Sequence, residues 1–147
     1  MQAIIKNVIS TNAGFDTLAL RLAAGVIFTA HGAQKLFGWF GGYGLEGTAG
    51  WMASIGIEPG YIMALMAGSA EFFGGLLLIL GLLVRPSAIV LAITMVVAIV
   101  AVHLENGLFM SNNGYEFALA LLAISIGLAV RGAGSLSLDS TIQQKLV

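Results

Sequence analysis

The chain has 147 residues, of which 59% are hydrophobic and only 9% charged, with a net charge of −1 and no cysteine. A soluble domain carries about 25% charged residues, so this chain lacks the charge to cover a water-facing surface and reads as an all-α integral membrane protein of one domain, residues 1–147. The charge balance excludes a broad basic surface for nucleic acid. The missing thiols exclude disulfide exchange, thiolate metal sites and cysteine nucleophiles.

The N-terminal stretch "MQAIIKNVISTNAGFDTLALRLAAGVIF" lacks the charged, apolar and small-residue order of a cleavable signal and reads as mature sequence. A bilayer core needs about 20 apolar residues in a helix. The first such span runs over residues 17–37 and ends on His31, Gln34 and Lys35. A long loop, 38–59, follows. Its Trp39, Phe40, Tyr43 and Trp51 suit an interfacial aromatic belt, and "EGTAGWMASIGIEPG" suggests a short helix over the outer mouth of the bundle. The second span is 60–84 and the third 86–104, with a break expected at Arg85-Pro86 because proline disfavours helix in the residue before it. Ser111-Asn112-Asn113-Gly114 offers turn and capping chemistry before the fourth span, 115–130.

Four spans place both termini on one side. Lys6, Arg85, Arg131 and Lys145 fall on that side, with Arg21 at its edge and only Lys35 near the other. The positive-inside rule makes the side with the termini cytoplasmic and the 38–59 loop periplasmic, in a bacterial inner membrane. Arg21 lies about one turn from the cytoplasmic edge, where it can snorkel, and a structural or lipid-contact role is expected.

At 1.5 Å per residue, His31, Glu71 and Glu116 lie about 21 Å above the cytoplasmic ends of their spans, and His103 about 26 Å. Each span thus contributes an ionisable residue to one outer-half layer, with Gln34 and Lys35 slightly above it. A charge at the bilayer centre costs about 2.5–3.5 kcal/mol, so such groups normally turn inward and pair. His31 and Lys35 are four apart and share a helix face. Glu71 sits among Gly68, Ala70, Gly74 and Gly75, which either bring helices together or leave room beside a carboxylate. Glu71 is therefore either a bundle-fixing pair member or a ligand-binding or proton-relay group. No Glu-x-x-His pair is present, and no metal or bound redox cofactor is expected.

"RLAAGVIFTAHGAQKLFG", "AEFFGGLLLILGLLVRPSA" and "NGYEFALALLAISIGLAV" together resemble the DoxX family of small bacterial membrane proteins, over about Leu18 to Arg131. The resemblance implies a four-helix membrane bundle that serves as a subunit of an oxidoreductase complex. It also implies a polar signature of His31, Gln34, Lys35, Glu71 and Arg85 with Asn113, Tyr115 and Glu116. The residues and the resemblance together suggest a pocket for a quinone-like amphiphile. Candidate ligand or proton-relay groups are His31, Gln34, Lys35, Glu71, His103 and Glu116, with Asn113, Tyr115, Trp39 and Arg85 secondary. A glycine-lined groove would hold the apolar tail. Expected partners are the lipid bilayer, a redox enzyme and a second copy of the chain. Two alternatives stand beside this: an assembly or anchoring subunit whose polar layer is bundle glue, and a small-solute or proton-coupled transporter.

Overall fold

The computed structural model describes residues 7–11 and 14–145, and among these there is no strand. Lys6 and the first residues of the N-terminal stretch lie outside the described residues. Helix α1 is Leu18–Phe37, α2 is Gly44–Ser54, α3 is Gly60–Leu80, α4 is Val84–Ala98, α5 is Glu116–Arg131 and α6 is Leu138–Lys145. A π turn, Ile99–His103, and a 3-10 turn, Leu104–Asn106, prolong α4. Helix α3, and α4 with its extension, are long and apolar enough to cross a membrane. Helix α1 has the length, 20 residues, but carries Arg21 and Lys35, while α5 is only 16 residues long.

Packing explains why small residues fill the second predicted span. Helix α3 packs on α1, on α2 and on α4, and α5 closes against α4. A Cβ at Gly32 of α1 would overlap the Phe72 backbone, and one at Gly75 of α3 would meet Thr29 and the Gly25 carbonyl. These glycines set the α1–α3 distance, as small residues do where helices meet in lipid. Gly68 faces Leu36 and Gly74 faces Leu91. The glycines of α3 are thus spent on helix contacts rather than on lining the expected groove. The outward faces carry the large apolar side chains instead: Val26, Met66, Phe73, Ile93, Val100 and Val130 are all more than half exposed. That arrangement suits a hydrocarbon surround.

The turn between α3 and α4 lies earlier than Arg85-Pro86. Gly81 and Leu83 both adopt left-handed backbone, which ends α3 and starts α4 at Val84, so Arg85 and Pro86 belong to the first turn of α4. The segment after α5 folds back onto this turn. Asp139 accepts hydrogen bonds from the Leu83 and Val84 amides at 2.8 and 3.0 Å, and its own amide donates to the Gly81 carbonyl. Arg21 is fully buried. Its guanidinium donates to the carbonyls of Leu78 and Leu136 at 3.1 and 2.6 Å. It neither snorkels nor touches lipid: one carbonyl in the last turn of α3 and one in the segment after α5 take its charge inward. Thr17 donates to the Ala133 carbonyl, and Arg85 donates to Ser10 and Ala129, so residues 10–21 and 129–139 meet at one end of the helix pack. Burial raises the Asp139 carboxyl above the usual carboxylate range. The amides of Val84 and Leu83 and the positive charge of Arg21 offset part of that rise.

Helix α2 covers the opposite end. Its Ala49 and Met52 are buried and cluster with Ala64 of α3, and its buried Thr48 donates to the Lys35 carbonyl. Glycines 38, 41 and 44 have positive φ and turn the chain from α1 into α2. The short helix expected in the 38–59 loop is therefore present.

Candidate functional site

Between α1, α3, α4 and α5 lies a cavity of about 260 Å³, at the end covered by α2 and the 107–114 loop. His31 and Lys35 reach it from α1, Glu71 from α3, His103 from the π turn and Asn113 from the loop. The rest of the wall is apolar, with Phe28, Met95, Met110 and Phe117 prominent. Lys35 Nζ lies 2.6 Å from Glu71 Oε2, a direct ion pair in which the Glu71 side chain is 5% exposed and that of Lys35 24%. A buried carboxylate needs such a partner, and Lys35 reaches it because positions 31 and 35 share one face of α1. Each ammonium has three hydrogens, so Lys35 keeps donors beyond the one given to Glu71.

The two histidines differ. His31 has no hydrogen-bond partner among the described residues and is exposed, its ring tilted 48° against Phe117 at 6.1 Å. It stands at the seam of α1 and α5, where these two long helices touch more sparsely than the other packed pairs. His103 Nδ1 is bonded to the Asn113 carbonyl at 2.8 Å. Its place depends on the π turn. In a continuous α-helix, residue 102 would follow 95 and 98 on one face. The widened turn shifts that register by one, so His103 rather than Val102 joins Met95 and Ala98 on the cavity wall.

The remaining sequence candidates do not line this cavity. Gln34 donates to the Phe40 carbonyl at 3.3 Å and holds the turn after α1. Glu116 accepts from the Met110 amide at 2.7 Å and fixes the loop. Tyr115 starts α5 with its amide on the Gly107 carbonyl. Trp39 is exposed and packs on Phe37 and Phe40. Arg85 lies at the far end, as described. Sequence reasoning missed the aromatic and methionine walls, because Phe28, Phe117 and Met110 look like any other apolar residue in an apolar chain. Among the described residues, no group of three or more histidines, aspartates or glutamates is placed to hold a metal ion.

Residues 17–104 match the DoxX family. The chain belongs to the DoxX family. It is 39% identical over 123 residues, 84% of each chain, to the Bacillus subtilis (strain 168) protein named "Putative oxidoreductase CatD". It is 33% identical over 129 residues to an uncharacterized Haemophilus influenzae protein, covering 86% of this chain and 90% of that one. It is 31% identical over 140 residues, 88% and 83% of the two chains, to the Mycobacterium tuberculosis protein named "Uncharacterized membrane protein Rv3486". No solved structure matches it. Family membership and the outward apolar faces of α3 and α4 make this DoxX protein a membrane protein resident in the lipid bilayer.

Proposed function

We propose that this DoxX protein is a subunit of a bacterial inner-membrane redox complex, and that its cavity binds the ring of a quinone-like amphiphile. In this reading α1, α3, α4 with its extension, and α5 are four spans of one domain. Both termini are cytoplasmic, and the cavity opens in the outer leaflet. The observation that carries the reading is the Lys35–Glu71 pair on the wall of an otherwise apolar cavity that also holds His31 and His103. Small-molecule sites combine apolar walls with a few placed polar groups in this way. The volume suits a single ring and leaves the tail outside. The sparse α1–α5 seam beside His31 offers the tail a way into lipid. A ring oxygen would take a hydrogen bond from Lys35, with Glu71 holding the ammonium in place. The redox assignment leans on the name of the Bacillus subtilis relative and on the cavity chemistry together.

The second reading is an anchoring subunit whose polar layer fixes the bundle. It is favoured by the closeness of the Lys35–Glu71 pair, which is satisfied without a ligand. Mass spectrometry of small molecules retained by protein purified in mild detergent separates the two. A stoichiometric quinone-like compound in the wild type, lost in Glu71→Gln and His31→Ala, supports the first. No retained compound in any of the three, with equal folding, supports the second.

A further inference from the structure

The loop over the cavity is built on its own backbone: Gly114 and Tyr115 donate to the carbonyls of Phe109 and Gly107, and Glu116 to that of Leu108. This leaves the Asn113 carbonyl free to face α4, where it accepts from Asn106 Nδ2 at 3.3 Å and bonds His103 Nδ1 at 2.8 Å. A carbonyl oxygen has no hydrogen to give, so the proton of that bond sits on Nδ1. The bond a histidine makes through one nitrogen decides the state of the other. In the neutral ring, Nε2 is then a bare lone pair, on the ring edge the loop does not hold, in a side chain that lines the cavity.

We infer that His103 is the cavity's hydrogen-bond acceptor for a ring hydroxyl, so that the site selects the hydroxyl-bearing form of its ligand over one whose oxygen is capped or fully carbonyl. The inference rests on the proposed reading that the cavity holds a small ring. The polar groups of the cavity have complementary roles. Lys35 can only donate and meets an acceptor oxygen, whereas His103 accepts and meets an O–H. Glu71 and His31 can also accept, but Glu71 is engaged with Lys35 and no bond among the described residues fixes the His31 tautomer, whereas the bond at His103 Nδ1 sets its acceptor nitrogen. Phe28 and Phe117, with Met95 and Met110, supply faces and sulfur for an aromatic ring between them. The ligand class is therefore an aromatic compound carrying a free hydroxyl and a second oxygen that can accept a hydrogen bond.

The test uses the full chain in detergent with two probes, 4-methoxyphenol and 1,4-dimethoxybenzene, which differ only in the hydroxyl. The wild type is expected to bind the phenol about tenfold more tightly, as one hydrogen bond at its upper worth would give. His103→Phe should erase the difference and His103→Gln, which keeps an acceptor, should restore part of it. Equal binding of both probes, with binding lost in Glu71→Gln, overturns the role of His103 and leaves the binding site standing. Absence of binding by both probes overturns the inference and the binding reading it rests on. A second measurement needs no variant that binds. The chain has two histidines, so the ring 15N signals lost in His103→Gln identify His103 in the wild-type spectrum. In the neutral ring, the proton is expected on Nδ1. A neutral ring with its proton on Nε2 overturns the inference.

Discussion

The two ends of this helix pack both bury charge, but they treat it differently. At one end Arg21 and Asp139 are surrounded by peptide groups: two carbonyls take the guanidinium, two amides take the carboxylate, and neither group lines the cavity. At the other end the side chains of Lys35 and Glu71 are paired with each other among the described residues, and a cavity lies beside them. Buried charge bonded to backbone from distant parts of the chain holds chain segments together. Buried charge paired on one side and open on the other keeps donors available for something that is not protein. Within one small chain, burial alone therefore does not separate the two pairs; what lies against the charge, backbone at one end and a cavity at the other, does.

The largest effect that would break this contrast comes from the backbone-bonded end. Asp139→Ala removes two charge-assisted bonds at the start of α4, each worth about 1.5–3 kcal/mol, and takes away a negative charge near buried Arg21. A thermal melt in detergent should register it as a large drop. The molecules that remain folded should retain ligand like the wild type; loss of retention would mean the two ends are not separate. Next, Lys35→Ala strands the Glu71 carboxylate and should cost about 3 kcal/mol, whereas the pair Lys35→Met with Glu71→Leu should melt close to wild type because the buried charges leave together. The double variant sharpens the contrast: normal melting with no retained ligand marks the pair as functional, and normal retention would assign it to the fold.

A smaller effect depends on pH. The folded state holds the Asp139 proton more tightly than the unfolded chain, because burial raises that carboxyl. Stability should therefore fall as pH rises from the usual carboxylate range to the raised value and level off above it. Asp139→Asn should lose this slope; a wild-type melting profile that is flat across that window would contradict the burial argument. The smallest effect is at Asp16 and Arg131, paired at the surface with both side chains about half exposed. The hydrogen bond from Arg131 lowers the Asp16 carboxyl, so any stability it lends is present at neutral pH and lost as pH falls through that lowered value. Asp16→Asn should leave the melting temperature nearly unchanged at neutral pH.

How much of this was legible in the sequence follows from chemistry and distance along the chain. His31, Lys35, Glu71 and His103 stood out because each is an ionisable residue in an apolar run, and the structure brings all four to one cavity. Gln34 and Glu116 stood out for the same reason, yet they bond to nearby backbone 6 residues away and serve loops. Polarity at a given depth does not say which of these fates a side chain meets. The role of Arg21 was hidden because its partners lie 57 and 115 residues further on. The π turn was hidden because "IVAVH" has no residue that breaks an α-helix, and the one-residue shift appears only in the backbone. The glycines around Glu71 were ambiguous in kind, since a missing side chain marks close packing and empty space equally well.

The clasp at Gly81 also bears on the order in which the chain is made. The turn between α3 and α4 leaves the ribosome well before residues 136–139, which provide its amide acceptor, one carbonyl for Arg21 and the balancing negative charge. Until then Arg21 and the start of α4 must find these partners in water or lipid headgroups. The hairpin of α3 and α4 is thus made early but fastened late, and residues 136–139 work as a catch that closes only after α5 has been added.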